Sequence, residues 1–342
     1  KTDWISMSGW LLVGVSLIVG AYYAGPYLLS GLPSPVNLVI YAFSTQEEVF
    51  TQGIFPAFEQ EWAKKENGEL SIESVFGPSG TLAGQINLGA PADVVLFSNE
   101  NHIEWLKVGK KVDKNSVPVP ITSTPLVIVT RAGNPLGLAS FSDLTRPGIQ
   151  LLHADPTSSG VGEWAVLAEY GSEFVLSGNK DAAETQLKEI WKNVKLLSPS
   201  ARTTMTLFEL GAGDALITYE QDALLAQERG ISLEIVMPLN TILACHYTVI
   251  VDENVTTKER RAAEDLITFM LSEKGQDIFQ RYHFQKIDPN GRDFTNRQSI
   301  FSEEDLGGWS QAYETLIENF WKREIQPVLE LELATTLIER GK

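Results

Sequence analysis

The stretch Gly77–Ser98, GPSGTLAGQINLGAPADVVLFS, decides the fold class of this chain. An uncharged Pro-Ser-Gly turn leads into a run with helical spacing, and that run leads into a strand-like segment that begins at Asp93. Strand-like and helix-like segments alternate in the same way along the rest of the chain beyond residue 36. This alternation is typical of α/β layers around largely parallel sheets, so the sequence predicts an α/β fold.

The composition narrows the classes of function. The chain has 342 residues, of which 43% are hydrophobic, and this is long enough for two lobes. A formal net charge of −17 without a basic patch argues against nucleic acid as a partner. The sequence shows no nucleophile–base set, no histidines at metal-ligand spacing and no phosphate-binding glycine loop. We therefore expect a protein that is not an enzyme and that has no metal and no cofactor.

The N-terminal segment Trp4–Leu29 contains no charged side chain. Its length is sufficient to cross a hydrocarbon core, which takes roughly 20 residues. The next basic residue after Lys1 is Lys64, which favours a globular part outside the cytoplasm. We predict a single transmembrane anchor over residues 1–30 that contacts the lipid bilayer through Trp4–Leu29. The predicted location is the inner membrane with the globular domain in the periplasm or cell exterior; a cleaved signal peptide is the alternative.

Two proline-rich segments, at residues 116–125 and 236–241, suggest the places where the chain crosses between lobes. On this basis residues 31–37 form a linker, 38–120 the first part of lobe 1, and 121–240 lobe 2. Residues 241–342 are expected to complete lobe 1 and to end in long helices.

Three turns share one pattern, in which small or hydroxyl-bearing residues stand between a strand end and a helix start. Their sequences are PSGT around Ser79 and Gly80, TSSG ending at Gly160, and SARTT around Ala201. The N-terminus of a helix leaves several N–H groups unpaired and favours anions, and hydroxyl groups add further donors. Each turn taken alone is also explained as an ordinary helix cap. Arg202, next to the third turn, is explained equally well as an anion partner or as half of a salt bridge.

In this order, these motifs resemble the periplasmic sulfate/thiosulfate-binding proteins, within the sulfate–molybdate–tungstate group of type II solute-binding proteins of ABC transporters. The resemblance spans roughly residues 38–321 and also rests on YHFQKIDP and FSEEDLGGWSQA. It implies a two-lobed type II periplasmic-binding-protein fold that holds a dehydrated oxyanion between the lobes. The ligand-binding positions it implies are Ser79 and Gly80 of the first turn, Ser159, Gly160 and Val161 of the second, Ala201 of the third, and Tyr219 in place of a tryptophan.

The predicted function is therefore that of a membrane-anchored receptor that passes a sulfate-like oxyanion to an ABC permease. The chain departs from the family pattern at Phe43, near the position of an acidic residue, at Val161 in place of a glycine, and around Ala201. These departures keep a second hypothesis open. In it, the chain is an accessory subunit of a larger membrane complex that retains the fold with a decayed pocket.

Overall fold

The computed structural model describes residues 35–65, 68–253, 255–287 and 300–331. The predicted anchor Trp4–Leu29 and most of the predicted linker lie outside these residues. None of the helices in the described ranges is long and apolar enough to cross a membrane.

The described strands alternate with helices, as the hydrophobic pattern indicates. The strands are β1 (Val36–Phe43), β2 (Leu70–Gly77), β3 (Val94–Phe97), β4 (Val119–Arg131), β5 (Leu151–Ala154), β6 (Val194–Ser198), β7 (Ala215–Tyr219), β8 (Leu233–Val236), β9 (Thr241–Ile250) and β10 (Ile300–Phe301).

The helices lie between these strands. The first, α1, is a helical run over residues 44–64 that ends with the regular segment Phe55–Lys64. It is followed by α2 (Ser79–Asn87), α3 (Asn101–Val108), α4 (Gly160–Ser177), α5 (Lys180–Trp191), α6 (Ala201–Glu209), α7 (Glu220–Glu228), α8 (Thr257–Leu271), α9 (Glu273–Arg281) and the helical run α10 over residues 309–331. Short 3₁₀ turns lie at Phe141–Thr145 and Glu303–Leu306.

The strands form one mixed sheet in the order β2-β1-β3-β9-β4-β7-β5-β6, with β10 on β9 and β8 on β4. β1 pairs in parallel with β2 and β3, and β5 pairs in parallel with β6 and β7. The two long strands at the centre, β4 and β9, pair antiparallel. The expected parallel arrangement therefore holds for these strands, whereas β4 and β9, which carry the chain between the lobes, also pair antiparallel with β7, β8 and β3.

One continuous strand joins the two lobes. Residues 119–125 of β4 pair with β9, whereas from Leu126 onward β4 pairs with β7. Lobe 1 thus contains β1–β3, β9 and the first half of β4 with helices α1–α3, α8 and α9. Lobe 2 contains the second half of β4 and β5–β8 with helices α4–α7.

In each lobe an aspartate just before a strand bonds to the backbone of the parallel neighbouring strand or the residue that precedes it. The Asp93 carboxylate accepts the Val39 N–H at 2.8 Å, and the Asp93 N–H donates to the Val39 carbonyl at 2.8 Å. In lobe 2 the Asp214 carboxylate accepts the Gln150 N–H at 2.9 Å, and the Asp214 N–H donates to the Gln150 carbonyl at 2.8 Å. Both carboxylates therefore act structurally.

The C-terminal segment packs differently from the expectation for residues 241–342. Helices α8 and α9 complete lobe 1, with Leu266 and Phe279 in its core. The described residues 300–331 instead pack on lobe 2, where the Trp309 ring meets Trp164 at 4.5 Å and the Trp321 ring meets Trp191 at 5.2 Å between centroids. The apolar face of α10 finds this partner because α4 and α5 present tryptophan side chains there.

Candidate functional site

The starts of helices α2, α4 and α6 and the ends of strands β1, β2, β3 and β7 converge on one small cavity between the lobes. Its volume is about 190 Å³, part of it open to solvent. We call it the interlobe cavity, and its lining residues are Phe43, Ser44, Gly77, Pro78, Ser79, Ser98, Ser159, Gly160, Val161, Ala201 and Tyr219. Six of the predicted site residues are in this set, and Gly80 is not.

The start of α4 offers uncommitted donors to the cavity. Ser159 is its N-cap residue, with extended backbone angles (φ −112°, ψ 123°), but its hydroxyl makes no hydrogen bond to its own helix. The first N–H groups of a helix, here at Gly160 and Val161, have no acceptor within the helix. The hydroxyl and these N–H groups are therefore available to a ligand.

The start of α6 is built differently. Its N-cap residue, Ser200, uses its hydroxyl to accept the Thr203 N–H at 3.1 Å. This bond satisfies one of the free N–H groups of the helix and leaves the first one, at Ala201, on the cavity side. Here the hydroxyl serves the helix, and the backbone N–H is what remains for a ligand.

At the start of α2, one donor faces the interlobe cavity and another bonds to the opposite lobe. The Ser79 hydroxyl accepts the Ser98 N–H at 3.1 Å, which leaves its own hydrogen free to donate. The Gly80 N–H donates to the Ser158 carbonyl of lobe 2 at 3.0 Å. A Cβ at position 80 would lie 2.9 Å from that carbonyl oxygen, so glycine permits the contact. Gly80 thus lies at the lobe contact instead of in the cavity lining.

Two buried hydroxyls on the cavity wall, those of Tyr219 and Ser98, lie close enough to interact with each other but have no other hydrogen-bond partner within the described protein. A buried hydroxyl without a partner is costly unless a ligand or water supplies one. Burial raises the pKa of Tyr219, so its phenol remains a donor throughout the physiological pH range. Sequence reasoning missed Ser98, although its place at the end of buried strand β3 is where ligands collect in open α/β sheets.

The residues that line the interlobe cavity include neither a carboxylate nor a cationic side chain. Arg202 is directed elsewhere, toward the Glu48 carboxylate and the Ser44 carbonyl of lobe 1. Of the two explanations for Arg202, the structure thus favours the salt bridge. The contact also joins the lobes, because Arg202 lies on α6 and Glu48 on α1.

An aromatic wall closes the back of the cavity. The Phe43 ring meets the edge of His246 at 4.6 Å and Tyr219 at 6.0 Å between centroids. Burial lowers the pKa of His246 to about 3, so the imidazole is neutral. Phe43 therefore presents an apolar surface at the position where the family resemblance places an acidic side chain.

Several hydrogen bonds hold the lobes together around the cavity. The Trp164 indole N–H donates to the Ser98 carbonyl at 2.8 Å, and the Gln221 side chain donates to the Thr45 carbonyl at 3.3 Å. With the Gly80 contact, they surround the cavity on several sides. The two lobes are therefore in direct contact around the cavity.

This architecture, two α/β lobes closing over a small cavity lined with donors, defines a solute-binding protein. The chain belongs to the family of bacterial extracellular solute-binding proteins, whose model matches residues 38–285.

Curated relatives agree over most of the chain. A sulfate-binding protein of Synechococcus elongatus is 30% identical over 299 residues, covering 83% of this chain and 83% of the relative. A sulfate-binding protein of Salmonella typhimurium is 31% identical over 297 residues, covering 82% of this chain and 90% of the relative.

A solved structure is also similar. The sulfate-binding protein SubI from Mycobacterium tuberculosis matches with a TM-score of 0.75 at 27% identity, covering 82% of this chain and 99% of that one.

Proposed function

We propose that this protein is an extracytoplasmic receptor for a fully ionised tetrahedral oxyanion such as sulfate. The observation that carries the proposal is the set of uncharged donors around the interlobe cavity, which includes two buried hydroxyls with no protein partner other than each other. The sulfate-binding relatives support the same class of ligand. The protein acts by binding and release, without chemical change to its ligand.

The electrostatics of the cavity suit an anion despite the negative net charge of the chain. Each helix start carries roughly half a positive charge, so α2, α4 and α6 together offer about one and a half. These dipoles act at short range in a closed cavity, whereas the acidic surface groups are screened by solvent. Hydrogen bonds to an ionised acceptor are also stronger than those between neutral groups.

The same donor set favours sulfate and thiosulfate over phosphate. Phosphate near neutral pH retains at least one O–H group, which needs an acceptor when it is buried. Donors dominate among the lining residues, and no carboxylate is present there to accept that proton. An ion without a proton matches this environment better.

We further propose delivery of the anion to an ABC permease, which follows from the family. In this proposal Trp4–Leu29 tethers the receptor to the inner membrane and raises its effective concentration at the permease. The test is retention of the full chain in a washed membrane pellet and release of a chain that begins at Pro35. Release of both would contradict the anchor.

The test of ligand binding is calorimetric titration of the full chain in detergent with sulfate, thiosulfate, molybdate, tungstate and phosphate. We expect one-to-one binding of sulfate in the micromolar range, which corresponds to about −8 kcal/mol, and no saturable heat with phosphate. Absence of heat and of a thermal shift with every anion would overturn the proposal and favour the accessory-subunit hypothesis.

A further inference from the structure

One helical turn from the proposed anion site, the buried carboxylate of Glu163 forms hydrogen bonds across the cleft between the lobes. Glu163 lies in the first turn of α4 in lobe 2, and its side chain is fully buried. Its carboxylate accepts hydrogen bonds from the Asn99 side chain at 2.5 Å and the Asn101 side chain at 3.3 Å. Both asparagines belong to the segment of lobe 1 that follows β3. Separation of the lobes would therefore remove both hydrogen bonds and uncover the carboxylate on its lobe 1 side.

The direct partners of this carboxylate do not supply a positive charge. The two asparagines are neutral, and the His102 Nε2 atom lies 3.4 Å away in a fully buried ring. Burial lowers the pKa of His102 to about 3, so its imidazole is neutral. Lys322 of α10 is 2.5 Å from Glu318 on the same helix and is paired with it. The titratable and charged groups that face Glu163 are thus His102 from α3, Tyr219 from β7, and Tyr313, Glu318 and Lys322 from α10.

A bound dianion adds a second reason for Glu163 to be uncharged. Val161 and Gly160, two and three residues before Glu163, line the interlobe cavity. Two negative charges this close in a closed, poorly solvated space repel each other strongly. A neutral carboxylic acid avoids this repulsion, and its O–H group can donate to the otherwise unpartnered His102 ring.

We propose that closure of the lobes over the anion takes up one proton, and that Glu163 is the positioning residue that holds lobe 1 against the start of α4 in this protonated form. The inference rests on the proposed function, because it concerns the same cavity. It adds that anion affinity depends on pH although sulfate itself does not titrate near neutrality.

The direction in which anion affinity changes with pH follows from the pKa values of Glu163 and His102. Burial raises the pKa of Glu163 from 4.5 to about 8, whereas burial lowers that of His102 from 6.5 to about 3. Between pH 6.5 and 8 the open form has an ionised Glu163 and a neutral His102, so closure takes up a proton. Affinity then falls by up to about tenfold for each unit of rising pH.

The experiment is sulfate titration of the full chain by calorimetry near pH 7.3, in HEPES, PIPES and Tris, which differ in ionisation enthalpy. The slope of binding enthalpy against buffer enthalpy counts the protons taken up, and we expect about half to one. Glu163→Gln keeps the size and polarity of the side chain but cannot ionise. We expect it to bind sulfate with no proton uptake and with nearly constant affinity between pH 6.5 and 8.

Glu169→Gln is the matched control. Glu169 is also fully buried on α4, but its carboxylate accepts the Trp191 indole N–H at 2.8 Å inside lobe 2 and does not cross the cleft. We expect this variant to retain the proton uptake.

Sulfate binding by the natural chain without proton uptake, or with affinity constant between pH 6.5 and 8, would overturn this inference and leave the proposed function intact. Proton uptake that persists in Glu163→Gln would also overturn it. Absence of sulfate binding by the natural chain would overturn both. If Glu163→Gln does not fold, the pH dependence of sulfate affinity in the natural chain still tests the inference.

Discussion

The two lobes contribute different kinds of hydrogen-bond donor to the interlobe cavity. Lobe 1 contributes mainly the side-chain hydroxyls of Ser79 and Ser98, and the Ser79 hydroxyl is oriented by the Ser98 N–H from which it accepts. Lobe 2 contributes the N-termini of α4 and α6, where backbone N–H groups at Gly160, Val161 and Ala201 are the main donors. A hydroxyl can be deleted by substitution, whereas a backbone donor can only be blocked. The two faces should therefore respond to different kinds of mutation.

The largest effect on sulfate binding is expected from a substitution in lobe 2 that clashes with lobe 1. In Gly160→Ala the new Cβ would lie 1.6 Å from Ser98 Oγ and 2.7 Å from Ser98 Cβ. Rotation of the Ser98 side chain relieves the first contact but not the second, so the lobes cannot close as observed. We expect a loss of about 3 kcal/mol in sulfate binding, measured by calorimetry.

The double variant Ser98→Gly/Gly160→Ala tests this explanation, because it removes both clashing atoms. The expected result is binding no weaker than that of Ser98→Gly alone. A double variant as weak as Gly160→Ala would show that the contact with Ser98 is not the cause.

An intermediate effect is expected from substitution of the two N-cap serines of lobe 2, Ser159 and Ser200. Comparison of the two variants separates ligand binding from helix stability. Ser159→Ala removes an uncommitted hydroxyl, so we expect binding to weaken by about 1–3 kcal/mol with little change in unfolding. Ser200→Ala removes the cap on Thr203, so we expect a loss of about 1 kcal/mol in stability. Titration and urea unfolding of both variants measure the contrast. Equal effects of the two variants on binding would show that Ser159 is only a cap.

The smallest effect is expected at the ion pair between Arg202 and Glu48, which joins the lobes outside the cavity. Both side chains are about one quarter exposed, so solvent weakens their attraction. We expect Arg202→Gln to weaken sulfate binding by less than about 1 kcal/mol, with a difference that shrinks further at high salt. A loss as large as that of Gly160→Ala would instead assign Arg202 to the anion itself.

Local chemistry explains what could be predicted from the sequence. Alternating apolar runs predict the strands and helices, and small or hydroxyl-bearing turns mark the helix starts that reach the cavity. Ser79, Ser159, Gly160 and Ala201 were found in this way, because each stands at the first turn of a helix.

Other features of the structure could not be predicted from the sequence, because they depend on contacts between distant segments. Nothing near Gly80 in the chain indicates that its N–H bonds to Ser158, and nothing near Arg202 indicates Glu48 as its partner. The C-terminal helix α10 is amphipathic, but its pattern does not say which lobe it covers.

The sequence by itself thus determined the fold class and the uncharged character of the helix starts, because both depend on residues close together in the chain. Only the tertiary structure decided which donors face one cavity, and which are already bonded across the cleft. It also decided that Ser98 joins the site and that Glu163 is buried between neutral groups. These properties depend on closure of two lobes whose contacting residues lie tens to hundreds of positions apart, and the local pattern of a sequence does not record that closure.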